Sequence, residues 1–157
     1  MPSPGTHRSQ PGRGSDERGV TLYELLIVMV IMSVLAGIAF NNFGEQREAM
    51  AVRSAENAFL SLHSVARGAA VERGEVVRLR VDSEEDRVSV LILDDTIRTT
   101  DFQDAFDASV EGDLELCMTP RGFADDSCME STTDVTFSRG SSSGGVVVEP
   151  LGQAERK

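Results

Sequence analysis

Three regimes of apolar spacing divide the chain. In residues 20–40 the only charge is Glu24, and residues 25–40 carry none. As a helix rising about 1.5 Å per residue, residues 20–40 would extend roughly 31 Å, enough to cross the hydrocarbon core of a bilayer. Beyond Phe40 the apolar positions narrow to one stripe. Val52, Ala55, Phe59, Leu62, Ala66 and Ala69 recur at spacings of three and four, the repeat of a helix with one face on a core. Glu48, Arg53, Glu56 and Arg67 fall off this stripe and are expected on the solvent side. One helix is therefore predicted from Val20 to about Glu72, apolar all round in residues 20–40 and amphipathic in residues 41–73. Gly74 is placed to stop it. Gly37 and Asn41-Asn42-Phe43-Gly44 are weak helix formers at the junction; they read as local fraying or bending, with a hinge as the alternative.

After Gly74 the repeat shortens to two. Val77, Leu79 and Val81 alternate with Val76, Arg78 and Arg80, and Val88, Val90 and Ile92 alternate with their neighbours in the same way. Each is the pattern of a strand with one buried face. Asp82-Ser83-Glu84-Glu85-Asp86 between them reads as a polar hairpin loop. Further strands are predicted at residues 113–118, 134–138 and 146–149, while residues 94–112 fit either an edge strand or an irregular loop. Short strands after one long helix give an α+β fold, in which an antiparallel sheet covers the amphipathic half of the helix. Residues 74–157 then form one β-rich globular domain.

Composition removes several functional classes. The chain has 157 residues, a formal charge of −11, two histidines and two cysteines, which allows an anchor helix and one small domain. Residues 1–18 contain Pro2, Pro4, Pro11, Gly5, Gly12 and Gly14 without apolar periodicity and read as a disordered leader. Arg8, Arg13 and Arg18 favour keeping it on the cytoplasmic side. Those three cations face only Asp16 and Glu17, so the part after Gly19 stands at −12. Such a surface repels nucleic acid and anionic membrane. His63 is the one histidine beyond the leader and falls in a helical pattern, where a solvated or half-buried side chain is expected. No constellation of residues supports an enzyme.

Glu24 is the anomaly. A carboxylate within an apolar span costs on the order of 3 kcal/mol at the helix centre, less near an end, and marks a functional position whose partner must be named. The residues Gly19-Val20-Thr21-Leu22-Tyr23-Glu24, followed directly by the apolar segment, resemble the processing site of the type IV pilin and type II secretion pseudopilin superfamily. Val20 stands where that pattern usually has Phe. The resemblance implies that a prepilin peptidase cuts between Gly19 and Val20, that Val20 becomes the N-methylated N-terminus, and that Glu24 docks the subunit into a filament. Glu24 would meet the N-terminal amine of a neighbouring subunit. Residues 1–19 are then a removed leader. Two other readings are a secretory signal peptide, with Val34-Leu35-Ala36 as its cut site, and an ordinary single-span anchor. A signal peptide's apolar core is shorter and lacks an acid such as Glu24.

Two later segments, Leu62-His63-Ser64-Val65-Ala66-Arg67-Gly68-Ala69-Ala70 and Val135-Thr136-Phe137-Ser138-Arg139-Gly140-Ser141-Ser142-Ser143-Gly144-Gly145-Val146, resemble the GspH/FimT branch of minor pilins and pseudopilins. That branch implies a non-catalytic subunit of the periplasmic pseudopilus of a type II secretion system, at or near its tip. A minor type IV pilin, acting in pilus assembly or DNA uptake, is the alternative. Implied partners are other pseudopilins or pilins, the prepilin peptidase and an inner-membrane assembly platform. The implied location is the inner membrane, single-pass, with the C-terminal domain in the periplasm.

Outside the cytoplasm, Cys117 and Cys128 read most economically as a disulfide, which would stabilise the domain by about 3 kcal/mol in the chain-entropy view. A metal pair is the rival, but two cysteines without a nearby histidine fall short of a zinc set. Asp125, Asp126, Glu130 and Asp134 read as a solvated acidic loop; calcium, which needs six to eight oxygens, is the alternative. The glycine-rich residues 139–145 read as a hairpin loop with valine-rich flanks. They are not a phosphate cradle, because no helix follows. No cofactor or metal is expected. Duplex DNA binding would require Arg121, Arg139, Arg156 and Lys157 to converge.

Overall fold

The structure, a computed structural model, describes residues 21–157 except Asp94, Asp126 and Glu130, with the backbone alone at residues 39–42. The predicted leader and Val20 lie outside the described residues. The chain divides into two compact units at Ala39 and Phe40.

The first helix, α1, runs Leu22–Arg73 over 52 residues. Thr21 begins it: its Oγ1 accepts the Glu24 N–H at 3.2 Å, and its carbonyl accepts the Leu25 N–H at 3.1 Å. This satisfies a donor that the first helical turn otherwise leaves unpaired. At the other end Gly74 adopts φ 69° and donates to the Ala70 carbonyl at 3.0 Å. A side chain there would disfavour the left-handed conformation that stops the helix.

In the second unit α1 buries Val52, Ala55, Phe59, Leu62, Ala66 and Ala70. The stripe matches the expected one except at its end, where Ala70 replaces Ala69. Ala69 is only partly buried against the core. A second departure is Glu56, which is 6% exposed and not on the solvent side.

Beyond α1 come β1 (Val77–Asp82), β2 (Arg87–Ile92), β3 (Asp95–Asp101), α2 (Phe102–Phe106), β4 (Ser109–Glu111), β5 (Leu114–Met118), β6 (Thr133–Arg139), β7 (Ser142–Val148) and β8 (Ala154–Arg156). They form two four-stranded antiparallel sheets, ordered β3-β2-β1-β5 and β4-β6-β7-β8. The α+β class is as expected, with two sheets where one was predicted. Alternation identifies strands but carries no information about which strand pairs with which. The expected faces are present: Val77, Leu79 and Val81 of β1 pair with Ile92, Val90 and Val88 of β2, and all six are buried.

The ambiguous residues 94–112 contain an edge strand, a short helix and another strand. β3 is largely exposed and carries an irregularity opposite Val90 and Leu91, which hides its two-residue period. Asp101 caps α2 through the Asp104 N–H at 2.9 Å. Asp86 fastens this segment to the β1–β2 hairpin, its carbonyl accepting from Phe102 at 2.8 Å and its carboxylate from Val110 at 2.6 Å. α2 thereby delivers Phe102 to the core. Its ring lies 5.3 Å from that of Phe137 in β6, which in turn lies 5.9 Å from Phe59 of α1.

Residues 139–145 are not one loop. The turn contains only Gly140 and Ser141, because Arg139 already pairs with Ser142 and β7 continues through Ser143, Gly144 and Gly145. Gly144 lies under α1: a Cβ there would overlap the Glu56 carboxylate and stand 2.9 Å from Val52 Cγ1. A glycine read as turn chemistry is thus a close approach between helix and strand.

Candidate functional site

The assembly candidate is the start of α1. Glu24 sits in its first turn, where a carboxylate also meets the positive end of the helix dipole. Thr21 and Glu24 have the spacing of a capping box, a signal legible in the sequence that places the acid at a helix start. Every large apolar side chain in residues 22–38 is at least 40% exposed. An apolar surface of that extent needs lipid or other helices to cover it. Among the described residues α1 is the one helix long and apolar enough to cross a membrane. Gly19 and Val20, the expected cut site, lie outside the described residues, as does any contact that Val20 makes with Glu24.

Within the second unit, polar contacts that periodicity alone did not reveal hold the strands and turns to the part of α1 that lies in it. Glu48 accepts the Ser141 N–H at 2.9 Å and the Ser141 hydroxyl at 3.0 Å. The backbone hydrogen bond, then the hydroxyl, hold its carboxyl below the usual carboxylate range. Glu56 pairs with Arg156 of β8 at 3.6 Å, and the same guanidinium donates to Asn57. His63 is buried at 6% exposure, not solvated or half-buried, and its Nε2 meets the Gly152 carbonyl at 3.0 Å. Burial, followed by the nearby Arg67 charge, pushes this imidazole below its ordinary range. The carbonyl it contacts is an acceptor, which requires the N–H tautomer at Nε2. Its hydrogen-bond partner is therefore a structural turn, not a nucleophile.

Cys117 of β5 and Cys128 form a disulfide with Cα atoms 5.7 Å apart. Inside the bridged segment Thr119 N–H donates to Phe123 O at 2.8 Å, Gly122 N–H to Thr119 O at 2.9 Å and Asp125 N–H to Cys117 O at 2.8 Å. The segment is a hydrogen-bonded reversal that leaves Phe123 exposed. Asp125 accepts the Ser127 N–H at 2.9 Å, which with the Ser127 hydroxyl holds its carboxyl below the usual range. Asp134 pairs with Lys157 at 2.7 Å. Asp126 and Glu130 are outside the described residues, and among the described ones no three metal-ligating side chains converge.

The four cations considered for DNA are mostly neutralised. Arg139 pairs with Asp107 at 2.8 Å and donates to Phe106 O at 3.1 Å, Arg156 pairs with Glu56 and Lys157 with Asp134. Arg121 sits on the exposed turn of the disulfide-bridged segment. These pairings draw three of the four cations to separate carboxylates, Asp107, Glu56 and Asp134.

Residues 14–40 match the family described as the prokaryotic N-terminal methylation motif. No curated protein matches the chain by sequence. The fold is similar to that of the type IV minor pilin FimU of Pseudomonas aeruginosa strain PAO1 in two crystal forms. In one, the TM-score is 0.52 at 12% identity, covering 67% of this chain and 91% of FimU. In the other, it is 0.54 at 13% identity, covering 68% and 87%. It is equally similar to the minor pseudopilin EpsH from the type 2 secretion system of Vibrio cholerae, with a TM-score of 0.52 at 13% identity over 68% of this chain and 95% of EpsH. The chain thus joins an N-terminal methylation motif to a fold similar to that of a minor pilin and a minor pseudopilin. Neither solved relative is named as an enzyme.

Proposed function

We propose that the protein is a structural minor pseudopilin, a subunit of the periplasmic pseudopilus of a type II secretion system, positioned at or near the tip. The observation that carries this reading is the joining of a methylation motif over residues 14–40 to a minor-pilin fold. The exposed apolar helix supports a subunit that waits in the inner membrane with its C-terminal domain in the periplasm. Prepilin peptidase removes residues 1–19, Val20 is N-methylated, and the anchors of neighbouring subunits then cover one another's apolar faces.

Glu24 is the charge that sets register in this assembly, meeting the Val20 amine of a neighbouring subunit. Such a pair acts through specificity more than gross stability, because either charge left alone in an apolar bundle is strongly penalised. The similarity to FimU favours one second reading, a minor type IV pilin serving pilus assembly or DNA uptake. The ion pairs that occupy Arg139, Arg156 and Lys157 argue against the DNA-uptake form of it.

Co-expression with a prepilin peptidase tests the processing. The expected product is shorter by about 2 kDa, the approximate mass of a leader of that length, and begins with methylated Val20. A mature N-terminus at Gly37 would instead establish a secretory signal peptide. Site-specific crosslinking in cells with a secretion system or with pili then separates the machines by which subunits are captured.

A further inference from the structure

We infer that His63, Arg67 and the Gly152 carbonyl form a proton-operated latch, which holds the β7–β8 turn on α1 at neutral pH and releases it on acidification. The inference stands apart from the filament reading, since it concerns the second unit alone.

Two donors from adjacent turns of α1 converge on one acceptor. His63 Nε2 lies 3.0 Å from Gly152 O, and Arg67 donates to the same oxygen. Their spacing of four residues puts them on one helix face. Gly152 belongs to a tight turn in which its N–H donates to Glu149 O at 2.8 Å and the Glu149 N–H donates to Gln153 O at 2.8 Å. Its φ is 80°, and a Cβ on it would stand 3.0 Å from Ala124. The Ala124 N–H donates in turn to Leu151 O at 3.3 Å. The Gly152 carbonyl therefore joins α1 to the β7–β8 turn, the adjacent Leu151 carbonyl joins that turn to the disulfide-bridged segment, and β8 begins two residues after Gly152.

Arg67 on α1 is the charged group that faces the imidazole, and Gly152 O is the polar group that faces it from the turn. No carboxylate forms an ion pair with His63 among the described residues. The Arg67 Nε–H is itself buried without a hydrogen-bond partner. A second positive charge at His63 would thus be added to a buried site that already holds a cation and offers one shared acceptor. Opening the turn hydrates both cations. Burial and Arg67 lower the imidazole's affinity for a proton in the closed state, so the open state binds more protons below the ordinary histidine value and acid favours opening.

Hydrogen exchange of the full chain in detergent micelles, compared between pH 7.5 and pH 5.5 after correction for intrinsic exchange, reads the latch directly. With an open-state pKa of about 6.5, opening should rise by up to about tenfold at pH 5.5. The increase should be confined to residues 149–156 and 119–125. His63→Gln keeps an N–H donor but cannot titrate, and its exchange in these segments should not change with pH. An equal acid response in His63→Gln, or none in the wild type, would overturn the latch. Should that variant fold poorly, an NMR titration of the wild-type imidazole decides, with His7→Gln assigning the signal. A His63 midpoint below 6.5, moving together with the Gly152 amide, supports the latch; a midpoint at or above 6.5 overturns it.

Discussion

Phe59→Ala tests whether one continuous core joins the amphipathic half of α1 to both sheets. Phe59 is fully buried, and its ring is 5.9 Å from Phe137, the ring that also stacks at 5.3 Å on Phe102. Truncating a buried phenylalanine costs about 3–5 kcal/mol through lost transfer energy and the cavity left behind. Alanine's better helix propensity returns about 0.5 kcal/mol, leaving a net loss of about 2.5–4.5 kcal/mol. For a unit of this size, about 4 °C of midpoint per kcal/mol gives a fall of roughly 10–18 °C. The measurement is thermal unfolding by circular dichroism on a fragment covering residues 41–157. Val71→Ala on the same helix is the control: Val71 is 55% exposed, so its truncation should stay within about 0.5 kcal/mol. A Phe59→Ala shift below about 4 °C, or a Val71→Ala shift as large, would refute the packing argument.

Reducing the Cys117–Cys128 bridge should lower the same midpoint, by about 3 kcal/mol on the chain-entropy view; unchanged melting with both thiols alkylated would count against it. Glu24→Ala should leave membrane insertion intact and impair incorporation into filaments, and Glu24→Gln should do the same if charge, not size, does the docking. Wild-type incorporation of both variants would remove Glu24 from assembly. Glu48, Asp113 and Asp125 have carboxyls held below their ordinary range by Ser141, Ser83 and Ser127. The unfolded chain therefore binds more protons as pH falls through the ordinary carboxylate range, and stability present above it is lost below it. Replacing Glu48 by Gln, which removes the titrating carboxyl, should shrink this acid-sensitive part of the stability curve, and an unaltered curve would exclude the Ser141–Glu48 contact.

The long helix, its apolar beginning and the first two strands could be read from the chain because local periodicity is enough to define them. Thr21 and Glu24 mark the helix start, Gly74 marks its end, and Val77, Leu79 and Val81 show their buried face without reference to any distant residue. What periodicity lacks is partners. Only the folded chain brings β8 beside β7, divides the strands between two sheets, and turns Gly144 from a presumed loop residue into the point where α1 meets a strand. The same holds for the polar groups. Glu56 is an off-stripe acid in the sequence, and it becomes a buried residue because Arg156 arrives a hundred residues later with a compensating charge. His63 looks like a surface histidine until the Gly152 carbonyl closes over it. A buried polar side chain is stable only if a specific partner satisfies it, and that partner is fixed by three-dimensional proximity, which spacing along one segment cannot encode.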